Sequence, residues 1–598
     1  MNSAEQRNLL SALKQAKLFS GVSEEFILGL LPQFIQVTLR QGEILFYLDD
    51  PSDFVYILLK GDLSAVMEKD GKELIIGMIH PGETVGELGV LSGLSRGLTV
   101  RAVTEAHLVG LSGYAFGQIC QEEPSILTHT MIPIVNRSLQ TIKFLRGEVS
   151  LCRISVFLSV DNDEKTQIFK NKITEIISQH QRTKLVNEKN ISANKYVSYI
   201  ELAEQRNFDH LIFFIDKIDD NSLEFLMDKG SDFYLTADGR TRIIVNHEMN
   251  KFLQVINRHP KTKLRLILLY IDGNTTPAYT KAWLDRYKFF LHHHVRMDHE
   301  EDYQRLSRFI EGTAYGLVLG GGGSKGYLHL GVIKTLLEKK IPIDMIGGTS
   351  IGAVAGACYA LTESFAETQD KFHILIEKCY QVLSFRHVVW PLVSLFSSNP
   401  VTHSAQEIFA KIEIENLWLP FYCTSSNLSE YCEVVHRAGP LWIALRSSAS
   451  TPGIVPPVVI RGRLHVDGGL LNNLPVDVMK KILGPNGKII ASKLSNQHPD
   501  KYKYDFPPVL SLKQTILSKL NFASESSYRF PNYLEMFMTS LLLGASSKER
   551  ENALMADLLV NPDLSDFRTF GRLKKRENKL IDLGYFETLK ALKNTPLI

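Results

Sequence analysis

Two glycine-rich junctions, each joining an apolar strand to a helix, constrain this chain more than any other feature. Leu317-Val318-Leu319 runs into Gly320-Gly321-Gly322-Gly323-Ser324-Lys325-Gly326, and the helix behind it carries Leu330, Val332, Ile333, Leu336 and Leu337. Met345-Ile346 then runs into Gly348-Thr349-Ser350-Ile351-Gly352 and the small-residue helix Ala353-Val354-Ala355-Gly356-Ala357. Short apolar strands alternating with helices build an α/β layer around a parallel sheet. A loop of glycine amides at a helix N-terminus is an anion site. A G-x-S-x-G turn between strand and helix exposes a serine hydroxyl, its glycines letting the two elements approach.

Together the junctions point to acyl transfer. Ser350 is the candidate nucleophile, and the amides of Gly321, Gly322 and Gly323 are candidate donors to an oxyanion. Two competing readings have their own residues. Gly321, Gly323 and Gly326 also satisfy the dinucleotide pattern G-x-G-x-x-G, with Asp344 downstream, but Asp344 precedes its strand where a ribose-binding acid should close one. A Ser-acid-His triad has only His498 to draw on after Asp467. Asp467 itself sits in Leu464-His465-Val466-Asp467-Gly468-Gly469, a strand ending at a glycine turn. That favours a two-member dyad, in which a weakly basic carboxylate needs burial and hydrogen-bond reach of Ser350 to act as base. His329 and His465 are expected to be packing residues. No histidine, cysteine and carboxylate spacing suggests a metal, and catalysis is expected to need no cofactor.

These elements resemble the patatin-like phospholipases, with a glycine loop ending in Arg/Lys-Gly, then G-x-S-x-G, then D-G-G/A. The resemblance is closest to the neuropathy target esterase branch, through Ile343 to Ser350, His436 to Trp442, Ser448-Ala449-Ser450-Thr451-Pro452-Gly453 and Pro456-Pro457, and it runs from about Val295 to Leu592. Lys325 departs from the commoner arginine but keeps its charge. The resemblance implies metal-free hydrolysis of phospholipid or lysophospholipid esters by Ser350 and Asp467, with the oxyanion hole at Gly321, Gly322 and Gly323.

Upstream, short strands from Val37 to Leu111 separated by turn residues suggest a small antiparallel barrel or sandwich. Within it lie Gly86-Glu87-Leu88 and, nine residues beyond Glu87, Arg96-Gly97. This cassette resembles that of cyclic nucleotide-binding domains, over about Leu18 to Glu123. The resemblance implies that Glu87 takes the ribose 2'-hydroxyl and Arg96 the cyclic phosphate, whose geometry suits a guanidinium fork. The implied effector is cAMP or cGMP. Ser95 and Gly97 replace the proline and alanine usual there.

At 598 residues the chain exceeds one core. The expected order is a cyclic nucleotide-binding-like domain (1–123), a connecting helix (124–151), an α/β intermediate domain (152–311) and a patatin-like hydrolase domain (312–598). A net charge of +2 leaves no broad basic field, so no nucleic-acid partner is expected. Six scattered cysteines and no signal-like or membrane-spanning run point to a cytoplasmic protein. Apolar segments Trp390 to Phe396 and Phe537 to Leu543, with the basic residues Arg568, Arg572, Lys574, Lys575, Arg576 and Lys579, suggest peripheral membrane contact. A catalytically silent nucleotide-binding adaptor is the rival function, which the intact Ser350, Asp467 and glycine loop disfavour.

Overall fold

The structure is a computed structural model; it describes the chain apart from residues 1–8, 132–152, 188–207, 216–222, 383–392, 496–535, 568–575, 596–598 and shorter stretches between them. The triad alternative at His498, most of the connecting helix, residues 390–392 of the first apolar segment, and most of the second apolar segment and of the basic run lie outside the described residues. The chain divides into two compact units, one of residues 1–237, 244–266 and 287–291, the other of 238–243, 267–286 and 292–598.

The first unit begins with a sandwich of two four-stranded antiparallel sheets. One is ordered Ile35–Leu39, Ala106–Ser112, Phe54–Lys60, Thr84–Val85; the other Ile44–Phe46, Thr99–Ala102, Leu63–Lys69, Lys72–Ile79. Alternating inward residues such as Leu58, Leu63, Val100 and Leu108 fill the space between the strands. The turn after Phe54–Lys60 requires glycine, since Gly61 has φ 86° and a Cβ there would lie 2.3 Å from the Glu105 carbonyl oxygen. Behind the sandwich, Thr183–Asn187, His210–Ile215, Arg153–Ser159 and Asp232–Asp238 pair in parallel, in that order. The nearly continuous buried runs of the last three match strands covered on both faces, while Thr183–Asn187 at the edge stays partly exposed. Arg182 of this layer pairs with the nearly buried Asp62 of the sandwich at 2.7 Å.

In the second unit the elements that carry the chemistry are β1 (Tyr315–Leu319), α1 (Tyr327–Glu338), β2 (Met345–Thr349), α2 (Ile351–Thr362), β3 (Phe421–Asn427), β4 (Cys432–His436), α3 (Leu441–Ser448), β5 (Val458–Ile460), β6 (Arg463–Asp467), β7 (Lys488–Ser492), α4 (Ala545–Leu554), β8 (Leu558–Val560) and α5 (Glu577–Asn594). They form one eight-stranded sheet in the order β5-β6-β3-β2-β1-β7-β8, with β4 also paired to β3. The central strands β3, β2, β1, β7 and β8 are parallel, while β4, β5 and β6 run antiparallel to their neighbours. The core gathers the apolar residues of β1, α1, α2 and α5 into one cluster.

Two anchors hold the helices that flank the site. Glu363, at the end of α2 with φ 48°, accepts from Arg296 at 2.8 Å and Arg305 at 3.1 Å, and both arginines also pair with the buried Asp302. On the other side α1 and α5 cross in close contact. A Cβ on Gly331 would fall 2.0 Å from the Ile581 carbonyl oxygen, and one on Gly584 2.2 Å from that of Leu328.

Because the obstacle at Gly331 is backbone, Gly331→Ala must push α5 away from α1. It is expected to cost about 1–3 kcal/mol, as overpacking does, and to lower the melting transition of the second unit in a thermal scan. An unchanged melt would mean that the helices cross less tightly than this.

Candidate active site

The glycine loop and the serine turn lie side by side because β1 and β2 are parallel neighbours, with Leu319 opposite Gly348. Both strands end at the same edge of the sheet, where a parallel α/β layer opens its ligand crevice. Close packing dictates the glycines there. A Cβ on Gly352 would sit 2.1 Å from the Leu319 carbonyl oxygen, and one on Gly348 would sit 2.7 Å from the Gly352 carbonyl carbon. Ser350 between them has φ 54° and ψ −123°. Such a backbone costs of order 1–3 kcal/mol in a non-glycine residue and lifts the hydroxyl clear of strand and helix. The Ser350 amide donates to the buried Ser448 Oγ at 2.9 Å, which fixes the turn.

Asp467 reaches Ser350 through strand register. β2 pairs with residues 421–424 of β3, and β6 pairs with residues 425–427. Since β4 takes the opposite edge of β3 over residues 423–427, β2 and β6 share one edge and meet end to end. Thr349 lies opposite Thr424 and Asp467 opposite Ser425, so the residue after β2 faces the last residue of β6. Ser350 Oγ donates to Asp467 Oδ2 at 2.8 Å. Thr451 Oγ1 donates to the same oxygen at 3.3 Å, and the Gly469 amide to Oδ1 at 2.8 Å. Burial dominates these bonds and pushes the Asp467 carboxyl up to about 6. The Gly468 turn is fixed by close approach, a Cβ there falling 2.4 Å from the Thr424 carbonyl oxygen.

The loop departs from expectation in one respect. The Gly321 amide donates to the Asn473 carbonyl at 3.1 Å, so it is not available to an oxyanion. Gly322 and Gly323 remain, the latter with φ 60°. Gly321 nonetheless borders Ser350, a Cβ on it lying 3.3 Å from Ser350 Cβ.

Histidines near the site brace it. His329 is fully buried, with Nε2 donating to the Gly320 carbonyl at 2.8 Å and Nδ1 bonded to Ser492 Oγ at 2.9 Å, and burial pushes it down to about 4. His465 Nδ1 and His436 Nε2 both meet Ser425 Oγ, at 2.9 and 2.7 Å. Asp344 pairs with Arg308 at 2.8 and 2.6 Å and accepts the Tyr315 amide, on the far end of its strand from the loop. That removes the acid a dinucleotide site would need.

In the sandwich, Gly86, Glu87, Leu88, Arg96 and Gly97 form one cassette. Glu87 and Leu88 open a short helix behind Gly86, which has φ 86°; Glu87 is buried and Leu88 exposed. Arg96 is buried, donating Nη1 to the Gly86 carbonyl and Nη2 to the Phe54 carbonyl, each at 2.7 Å, with its guanidinium 4.2 Å over the Phe46 ring. Among the described residues, Arg96 Nε is buried without a hydrogen-bond partner.

Ser448 and Thr451 stood in the sequence only within the Ser448 to Gly453 stretch that carries the resemblance, with no role attached, and Asn473 was not singled out; which of them touch Ser350, Asp467 or the loop depends on how α3 and β6 pack.

Residues 317–480 match the family described as patatin-like phospholipase, and residues 36–123 match the cyclic nucleotide-binding domain. Similar curated proteins include neuropathy target esterase sws of Drosophila melanogaster, 28% identical over 519 residues, and that of Drosophila mojavensis, 27% identical over 494. These alignments cover 75% and 73% of this chain but 35% and 33% of the relatives, so the chain spans about a third of their length. Among solved structures, the regulatory domain of Toxoplasma gondii PKA with cAMP is 24% identical, covering 20% of this chain and 46% of that one, with a TM-score of 0.19. The sensor domain of the regulator DNR from Pseudomonas aeruginosa is 22% identical, covering 23% and 94%, with a TM-score of 0.21. The chain therefore combines a patatin-like phospholipase domain with an N-terminal cyclic nucleotide-binding domain.

The raised Asp467 carboxyl has two readable consequences. A base at this position would act ionised, so kcat/KM should fall with decreasing pH through about 6. Because the folded state favours the neutral acid, the stability cost of ionising it is absent below the ordinary carboxylate range near pH 4 and complete above about 6, amounting to roughly 3 kcal/mol. Asp467→Asn is thus expected to be inactive, yet more stable than wild type at pH 7 to 8 and not at pH 4, by denaturant titration at each pH. A flat kcat/KM between pH 5 and 7 would contradict this.

Proposed function

We propose that this chain is a serine acyl hydrolase of the lysophospholipase or phospholipase type, working through a Ser350-Asp467 dyad. The observation that carries the reading is the 2.8 Å bond from Ser350 Oγ, on its strained turn, to the buried Asp467 carboxyl. The patatin-like phospholipase match over residues 317–480 and the esterase relatives support the lipid substrate.

In the proposed reaction Asp467 takes the Ser350 proton as Oγ attacks the acyl carbonyl. The carbonyl oxygen becomes an oxyanion facing the Gly322 and Gly323 amides. Asp467 then returns the proton to the departing alcohol, leaving an acyl-Ser350; it next deprotonates a water that attacks the acyl carbon, and gives that proton to Ser350 Oγ as the Oγ–acyl bond breaks and the fatty acid leaves. A carboxyl near 6 is a stronger base than an ordinary aspartate and is still ionised at neutral pH. No step needs a metal. Among the described residues no helix is long and apolar enough to cross a membrane, and the described cysteines are free thiols. A cytoplasmic enzyme that meets its lipid at a membrane surface is consistent with both.

Purified protein assayed on lysophosphatidylcholine should release fatty acid at a rate that EDTA leaves unchanged. Ser350→Ala should abolish the release without altering the melt, and a fluorophosphonate should label Ser350 alone. Hydrolysis that persists in Ser350→Ala, or that EDTA stops, would sink the reading.

We further infer that cAMP or cGMP is an effector, held by Arg96 and Glu87. The Gly86 and Phe54 carbonyls take two of the five guanidinium N–H groups, and the phosphate would bind through those that remain or displace the carbonyls. It regulates only if it prefers one arrangement of the protein over another. Calorimetry should give heat with one nucleotide, lost in Arg96→Ala, and a changed rate in the lysophospholipid assay. No heat with either nucleotide would reduce the sandwich to a docking module.

A further inference from the structure

A helix remote in sequence reaches the glycine loop through one side chain. Asn473 Nδ2 donates to the Gly321 carbonyl at 3.3 Å and to Glu549 Oε1 at 3.0 Å, using both of its hydrogens. Glu549 lies on α4, is 4% exposed, and also accepts Ser495 Oγ at 2.7 Å. Its neighbours on α4 dock the helix nearby. Lys548 pairs with Glu433 at 2.7 Å and Asp477 at 3.3 Å, and Asn552 Nδ2 donates to Asn472 Oδ1 and the Leu474 carbonyl.

The Gly321 carbonyl and the Gly322 amide belong to the same rigid peptide plane and point in opposite directions. A donor that holds the carbonyl therefore aims the amide. Asn473 does so only with its NH2 toward Gly321; the flipped amide would set oxygen against oxygen. An acceptor at Glu549 Oε1 enforces that orientation, while the Asn473 carbonyl holds the preceding Gly321 amide at 3.1 Å. We propose that Glu549 and Asn473 are positioning residues, fixing the Gly321-Gly322 peptide so that the Gly322 amide faces the oxyanion formed at Ser350.

This rests on the acyl-hydrolase reading and predicts a transition-state defect. Glu549→Ala should lower kcat on lysophosphatidylcholine roughly 10- to 100-fold with KM within about twofold. It should weaken a trifluoromethyl ketone, whose adduct with Ser350 carries the oxyanion, by the same factor. Glu549→Gln keeps an acceptor oxygen and should stay within about threefold of wild type. Lys548→Ala, which loosens α4 without touching Asn473, should lower the melting temperature and spare kcat. Asn473→Asp, isosteric but lacking the donor, should reproduce the Glu549→Ala defect and decides the matter if Glu549→Ala does not fold. Unchanged kcat in Asn473→Asp, a loss confined to KM, or an equal loss in Lys548→Ala would overturn the proposal. Ser350→Ala runs in parallel: residual hydrolysis there would instead overturn the hydrolase reading.

Discussion

The site depends on two strands meeting end to end on one edge of a third. β3 offers two edges; β4 fills one, so β2 and β6 must divide the other between Thr424 and Ser425. They arrive from opposite directions, and the residues at their tips are Ser350 and Asp467, 117 positions apart in sequence and 2.8 Å apart in space. Backbone ladders hold both tips, so the distance is set by hydrogen-bonded register and not by the freedom of two side chains. The glycines follow from this arrangement. Gly348, Gly352 and Gly468 stand where neighbouring backbone comes too near for any Cβ.

The same arrangement is costly. A non-glycine residue at φ 54° and a carboxylate buried well above its ordinary range both work against folding. The surroundings offset that cost by over-determining the local structure. Ser448 holds the Ser350 amide, and Thr349 Oγ1 meets Thr424 Oγ1 at 2.7 Å and the Asn472 carbonyl at 2.9 Å. Farther off, the Arg296, Arg305 and Asp302 cluster fixes Glu363 at the end of α2, the helix that follows Ser350. Strain at a reactive serine persists only where such contacts leave the chain no alternative.

In the sandwich the logic differs, because Arg96 is both a structural residue and the proposed phosphate ligand. Its bonds to the Gly86 and Phe54 carbonyls tie the cassette to a core strand. On the effector reading, a phosphate that draws the guanidinium away releases those ties, which gives binding a structural consequence within the cassette.

The local devices were legible in the sequence: the glycine loop, the Ser350 turn, the Asp467-Gly468-Gly469 strand end, and the spacing of Glu87 and Arg96. Each depends on backbone geometry within a few residues, where glycine placement and apolar runs carry the information. Asp344 already looked misplaced for a ribose ligand, and its pairing with Arg308 gives the reason. What the sequence left open rests on contacts between distant segments. The Gly321 amide is committed to Asn473, Asn473 is oriented by Glu549, and Ser448 and Thr451 support the dyad, all through partners from other strands and helices. Which local turns and strand ends form is therefore determined by short-range pattern, whereas which atom bonds which is decided by strand register and helix docking, because a hydrogen bond is lost when its atoms move by about an ångström.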